Sequence, residues 1–277
     1  MNALQRIMPV QLLAIALVLA VLPAVLGALG LTTTSATEVV VFAVACMALN
    51  ILVGHTGLVS FGHGAWFGLA AYIAALVQLR MAPGSFALPV LAGLVSVLIL
   101  STILGALILR RRGVYFSLLT LAFAAMVYTV AFRWTEVTGG ENGIGGISRP
   151  ALAGANLETN GAYYTFVAVI AFIISCALWR FHNSPLGSVL VAIRENEQRA
   201  RFLGYPTNRY KLVAFVLSAT LTGLAGMLLL YKNRMTSADP ISVAFSGELL
   251  AMVVIGGMRS FVGPAIGALF FVLFREF

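Results

Sequence analysis

The residues that could do chemistry are few, and they lie in apolar surroundings. Ser60 and His63, inside NILVGHTGLVSFGHGAWFG at residues 50–68, offer a hydroxyl and an imidazole three positions apart. A serine nucleophile needs a base and an acid that orients the base. Here Gly57-x-x-Ser60-x-Gly62 does not reproduce G-x-S-x-G, H-E-x-x-H is absent, and no orienting acid accompanies the pair. An intramembrane hydrolase is therefore disfavoured, and no catalytic residue is expected. His55 and His63 read either as hydrogen-bonded structural residues or as lining of a path. Cys46 and Cys176 sit far apart in separate apolar runs, so neither a disulfide framework nor a metal cluster follows. G-x-x-x-x-G-K-[ST] is missing, so the chain should need no cofactor, and any ATP must be bound by another subunit. Glu248 is of another kind. An ionisable group in an apolar span should face protein or water, because facing lipid is costly.

These residues must be positioned by membrane helices. Of 277 residues, 61% are hydrophobic and 9% charged, with mean hydropathy +1.00. Those values lie outside the soluble globular range. The expectation is one all-α transmembrane domain over 1–277, a polytopic bundle of about eight to nine spans with Gly-broken or re-entrant segments. The spans fall at 10–30, 38–54, 58–79, 86–109, 114–132, 162–180, 211–231, about 245–257, and from about 261 onward. The run at 10–29 is long for a signal peptide and lacks an A-x-A site, so it reads as a retained first span. The net charge of +8 does not signal nucleic acid, because Lys and Arg lie at span ends rather than in a basic domain. With a cytoplasmic N-terminus, Arg6, Arg110, Arg111, Arg112, Arg180, Arg194, Arg199, Arg201, Arg209, Lys211 and Arg259 all fall inside, eleven of the 17 basic residues. The triple Arg at 110–112 anchors that orientation, since each Arg at mid-membrane costs about 2.5–3.5 kcal/mol on insertion scales.

One long polar stretch interrupts the apolar sequence: NSPLGSVLVAIRENEQRARFLGYPTNRYK, residues 183–211. Ser184 followed by Pro185 starts a helix, because the Ser side chain accepts from an orphan N–H and Pro has none to lose. Gly204 ends it in a left-handed cap, and Pro206 cannot continue the ladder. Between them Leu186, Val189, Leu190, Ile193, Glu197 and Ala200 share one face. Glu195 with Arg199, and Glu197 with Arg201, form i,i+4 pairs in the favourable order. The stretch predicts one short amphipathic helix over 185–203, outside the bilayer.

This segment and the helix after it resemble the membrane permeases of bacterial ABC importers for branched-chain amino acids, close to the M-type subunit. The family's N-E-x-x-A-x-x-x-G falls on Asn196, Glu197, Ala200 and Gly204, whereas the general importer pattern "EAA, three residues, Gly" is met only at Ala200 and Gly204. Two further stretches are similar to the same family. One is N-x-L-x-G-x-x-G-x-x-S-x-G-H from Asn50; the other is GGMRSFVGPAIG from Gly256. The resemblance implies a 182–211 cytoplasmic loop whose Arg194, Glu195, Asn196, Glu197, Ala200 and Gly204 couple to an ATPase. It implies two ATP-binding subunits, a second related permease, and a soluble substrate-binding protein as partners, in a bacterial inner membrane. The substrates it implies are leucine, isoleucine and valine, while urea, short amides or other amino acids stay open as alternatives. Family members usually continue through their last helix, so the sequence is expected to be shortened at its C-terminus or to have a brief final span.

The glycines at 54, 57, 62 and 64 invite a broken helix, and broken helices in transporters lie beside the substrate path. Close packing through Gly64 and Gly68 is the plainer reading of that pair. The residues to line such a path are Asn50, Gly57, Ser60, Gly62, His63, Glu248 and Gly257. An internal echo supports the segment's structural weight: Gly57-x-x-Ser60-Phe61 recurs as Gly257-x-x-Ser260-Phe261. The 134–161 segment contains WTEVTGGENGIGGISRP, too glycine-dense for a helix, and reads as an extracytoplasmic loop. In it Glu136 and Glu141 are available to a basic partner surface. An ion-coupled secondary transporter also uses broken helices and repeats, but it needs intramembrane carboxylates, and Glu248 alone offers one.

Overall fold

The computed structural model describes residues 3–111, 113–150 and 156–276; Arg112 and part of the glycine-rich 134–161 segment lie outside them. Its helices are α1 (Ala3–Ala28), α2 (Thr33–Thr56), α3 (His63–Arg80), α4 (Ala87–Ile108), α5 (Val114–Arg133) and the single turn α6 (Thr135–Thr138). After them come α7 (Asn160–His182), α8 (Pro185–Glu195), α9 (Glu197–Phe202), α10 (Thr207–Asn233), α11 (Val243–Gly256) and α12 (Gly263–Glu276). Among the described residues six are long and apolar enough to cross a membrane: α1, α2, α4, α5, α7 and α10. α3 carries His63, Gln78 and Arg80 in its 18 residues. α11 and α12 have 14 residues each, about 21 Å at 1.5 Å per residue, which is short of a hydrocarbon core.

α2 is the axis. Its sequence is apolar all round, the mark of a helix with no solvent face, and every residue from Ser35 to Thr56 except Ala43 is buried. α1, α7, α10, α11 and α12 surround it. α10 packs in turn on α3, where Gly226 lies so close to the Phe67 backbone that a Cβ would strike its carbonyl.

Two segments turn back into the bundle. The expected span over 58–79 begins only at His63, because residues 57–62 are unwound. They climb from the end of α2 until His63 Nε2 lies 2.8 Å from Ser218 Oγ, which donates to the Ala48 carbonyl at 2.6 Å. α3 therefore starts level with Ala48, about two helical turns short of the end of α2. Residues 234–242, after α10, descend in the same way. Ile241 packs on Gly68, and the Gly64 N–H donates to Ser246 Oγ at 2.9 Å. The N-terminal ends of α3 and α11 thus meet inside the protein. Unwound backbone is tolerated at that depth because protein groups satisfy it. Ser117 Oγ donates to the Val59 carbonyl (2.7 Å), and the Phe61 N–H donates to Thr120 Oγ1 (3.1 Å).

The end of the bundle that carries Glu38 is closed by charge. Glu38 on α2 binds Lys232 of α10 and Arg275 of α12. Arg149, in the glycine-rich loop, is buried. It donates to the carbonyls of Tyr231 (2.6 Å) and Lys232 (2.7 Å) at the end of α10, and to Asn160 Oδ1 (3.1 Å). A cation at a helix C-terminus meets both the orphan carbonyls and the negative end of the dipole. Ile144 pairs with Thr236, so the loop is stitched to the segment that turns inward.

Candidate coupling site and transport path

The polar stretch projects from the opposite end. Its caps are those the sequence sets: Ser184 Oγ accepts from the Gly187 N–H (3.1 Å), and Gly204 has φ +87°. Between them the structure departs from one continuous helix. Asn196 is extended (φ −155°, ψ 95°) and its side chain caps a second helix, accepting from the Arg199 N–H at 2.8 Å. α8 and α9 therefore meet at a corner. The reason lies in Asn196 itself, whose short amide competes with the helical ladder by bonding the backbone ahead of it. The break takes Glu195 and Arg199 off a common face, while Glu197 and Arg201 keep their pair at 3.0 Å.

Of the six residues assigned to coupling, three face inward. Arg194 donates to the Gly54 carbonyl near the end of α2, and its stem lies over Gly57. Gly57 has φ +71°, and a Cβ there would come within 2.9 Å of Arg194 Cγ, so both backbone and space require glycine. Glu197 accepts from Arg201, from Thr207 Oγ1 (3.1 Å) and from Lys211 Nζ (2.9 Å), which fastens α9 to the first turns of α10. Ala200 is buried beside Leu190 and Ile193 in the apolar face. Glu195, Asn196 and Gly204 face outward, and nothing lies within 4 Å of a Cβ built on Gly204. Beside them is a patch the sequence reading did not single out: Phe202 is 90% exposed and Leu203 72%, with Tyr205 exposed as well. The signal was available, because Phe202 falls on the side of the helix away from the Leu190–Ile193–Ala200 stripe. A second contact was also missed. His182, at the end of α7, lies 2.9 Å from His55 on α2, Nδ1 to Nε2.

The residues assigned to the path are mostly joints. Asn50 is buried and donates to the Ser260 carbonyl at 3.3 Å, joining α2 to the turn after α11. Ser60 and His63 have no exposed surface. Ser218 gives its proton to the Ala48 carbonyl, so its oxygen accepts from His63 Nε2–H, and Nδ1 accepts from the Ser60 hydroxyl at 2.9 Å. Both ring nitrogens are satisfied, in a neutral tautomer. Gly62 abuts the Thr120 carbonyl, and Gly257, with φ +103°, ends α11. Glu248 alone lies on an open face of its helix, half-buried. The structure joins Asn50 to the turn that follows Gly257 and sets Gly57 under Arg194 at the end of α2, and it leaves Glu248 apart from them.

The sequence profile of the family described as "Branched-chain amino acid transport system / permease component" matches residues 31–277. The high-affinity branched-chain amino acid transport system permease protein LivM of Salmonella typhimurium is 33% identical over 264 residues, covering 87% of this chain and 62% of that protein. LivM of Escherichia coli K12 is 32% identical over 268 residues, covering 88% and 63%. A probable LivM of Methanocaldococcus jannaschii is 26% identical over 184 residues, covering 64% and 52%. The chain thus spans less than two thirds of the length of each of these three curated relatives. No solved structure matches. With a profile match over nearly its whole length, on a helical membrane bundle with a projecting polar lever, the chain belongs to the branched-chain amino acid transport permease family.

Proposed function

We propose that the chain is a non-enzymatic membrane permease subunit of an ABC importer, forming half of the translocation path for leucine, isoleucine and valine. Its partners are two ATP-binding subunits, a second related permease and a soluble substrate-binding protein, and it needs no cofactor of its own. It lies in the inner membrane as one domain of eight to nine spans, with the N-terminus, α8 and α9 in the cytoplasm and the glycine-rich loop outside. The short helices α3, α11 and α12 complete the spans by pairing with unwound segments.

The observation that carries this reading is the lever at 185–205, which is fastened to the bundle on one side and bare and apolar on the other. Arg194 ties it to the end of α2, Glu197 ties it to the start of α10, and α7 runs into it through two residues. Phe202, Leu203 and Tyr205 are left for a partner. A push on that tip from a closing ATPase dimer moves the ends of α2, α7 and α10 as a unit, which is how a rigid lever converts closure into a change of access.

Reconstitution with the partner ATPases and binding protein, measuring which amino acid stimulates ATP turnover, tests the assignment. Leucine, isoleucine or valine should do so; stimulation by none of them contradicts it. Gly204→Asp tests the lever. The site is open and Asp tolerates the left-handed region, so the protein should remain folded in the membrane while uptake separates from ATP hydrolysis. Ala200→Glu should act differently, by driving a carboxylate into the buried face and unseating α9.

A further inference from the structure

Among the described residues, two carboxylates lie within the bundle helices (α1–α5, α7 and α10–α12) away from their last turn, Glu38 in α2 and Glu248 in α11, and their surroundings differ. Glu38 is met by Lys232 and Arg275. Glu248, among the described residues, has neither an ion pair nor a hydrogen-bond partner. It lies at mid-depth, since the carbonyl of neighbouring Leu249 is 3.9 Å from Cys46 Sγ, near the middle of α2. The opposite face of α11, with Ser246, Leu249, Met252 and Val253, is buried against the bundle. On the free face Ala244 is exposed, and nothing lies within 4 Å of a Cβ built on Gly247. Ala251 is half-buried one turn further on. Beside the carboxylate on this face are thus small side chains and open space, with half-buried Phe245 one turn before it and exposed Ile255 one turn beyond Ala251. A charge so placed cannot face hydrocarbon cheaply, so this face is turned to water or to another protein surface rather than to lipid.

We propose that Glu248 is the residue in the path that receives the α-ammonium of the transported amino acid. This rests on the permease reading. An amino acid carries one cation and one anion on the same carbon, so an isolated carboxylate draws the ammonium inward and turns the substrate's carboxylate away. In a confined path, where both groups shed part of their water, the contact becomes a charge-assisted hydrogen bond. The small residues at 244, 247 and 251 leave room for the rest of the substrate beside it. Selection among side chains is left to other surfaces.

The test uses the full-length permease, assembled with its ATP-binding subunits, second permease and binding protein in proteoliposomes. Glu248→Gln keeps the shape and removes the charge. Leucine uptake should fall at least ten-fold while binding-protein-stimulated ATP turnover by the partner subunits persists. Glu248→Asp should restore a substantial part of the uptake. Ala251→Met, which fills the space without touching the charge, should also slow uptake more than ATP turnover. Normal uptake by Glu248→Gln overturns the assignment. So does a parallel loss of ATP turnover, which marks a conformational role, or wild-type uptake that collapses with a protonophore, which marks a proton site. A wild-type complex that imports no amino acid overturns the permease reading and this assignment with it, whereas normal import by both wild type and Glu248→Gln overturns this assignment alone.

Discussion

The turns at 57–62 and 257–262 begin alike and end in different surroundings. Each opens with a glycine at positive φ, Gly57 at +71° and Gly257 at +103°, and each hands over to a new helix six residues later. In each, a serine oxygen accepts from a backbone N–H ahead of it: Ser60 from Gly62 (3.3 Å), Ser260 from Gly263 (2.9 Å). The first turn is then covered beyond Gly57, with Leu58, Ser60 and Gly62 buried. α5 supplies Ser117 and Thr120 to its backbone, His63 seals Ser60, and Arg194 lies over Gly57. The second is bare, with Met258, Arg259 and Ser260 exposed and the Asn50 amide as its bond to α2. The same local chemistry builds both turns. What separates them is whether the lever rests on the turn, and the covered copy is the one through which a push reaches α2.

If that distinction is right, the largest effect comes from freeing the lever. Glu197→Gln leaves the buried ammonium of Lys211 without its counter-charge, and breaking a buried pair costs about 3 kcal/mol or more. Thermal unfolding in nanodiscs should show the loss together with reduced uptake. Ser60→Ala comes next, since it strands His63 Nδ1 and the Gly62 N–H in a fully buried site, at about 1–3 kcal/mol. Ser260→Ala, its counterpart, removes one cap at an exposed site and should cost about 1 kcal/mol or less. Equal costs at the two serines would erase the comparison. Arg194→Met should have the smallest effect on stability, because its stem can still cover Gly57, yet it should lower the uptake obtained per ATP hydrolysed by removing the tie to Gly54.

Much of this plan is written in local chemistry, and that part was legible. The caps at Ser184 and Gly204 follow from side-chain reach and backbone freedom, and the all-round apolarity of α2 marks a helix with no outer face. The Gly-rich run announced a break, though not that the chain would climb back two turns before resuming a helix. That depends on Ser218 and Ala48, which are remote in sequence. Distance in sequence also hid what the path candidates do. Ser60 and His63 look reactive as a string, and only the packing of α10 shows the serine hydroxyl and both ring nitrogens engaged. Asn196 was read as part of one helix because periodicity extends across it; its side chain instead caps the next turn. The coupling residues divided for the same reason, since Glu197 finds Lys211 fourteen positions away.

The central claim is that Phe202 and its neighbours form the face presented to the motor. A photocrosslinking residue at position 202 of the assembled complex tests it most directly, with the same probe at Glu141 in the glycine-rich loop as the contrast. The account predicts adducts between position 202 and an ATP-binding subunit, varying with nucleotide, and none to that subunit from position 141. Adducts from position 202 to lipid or to the substrate-binding protein, with none to an ATP-binding subunit, would contradict it.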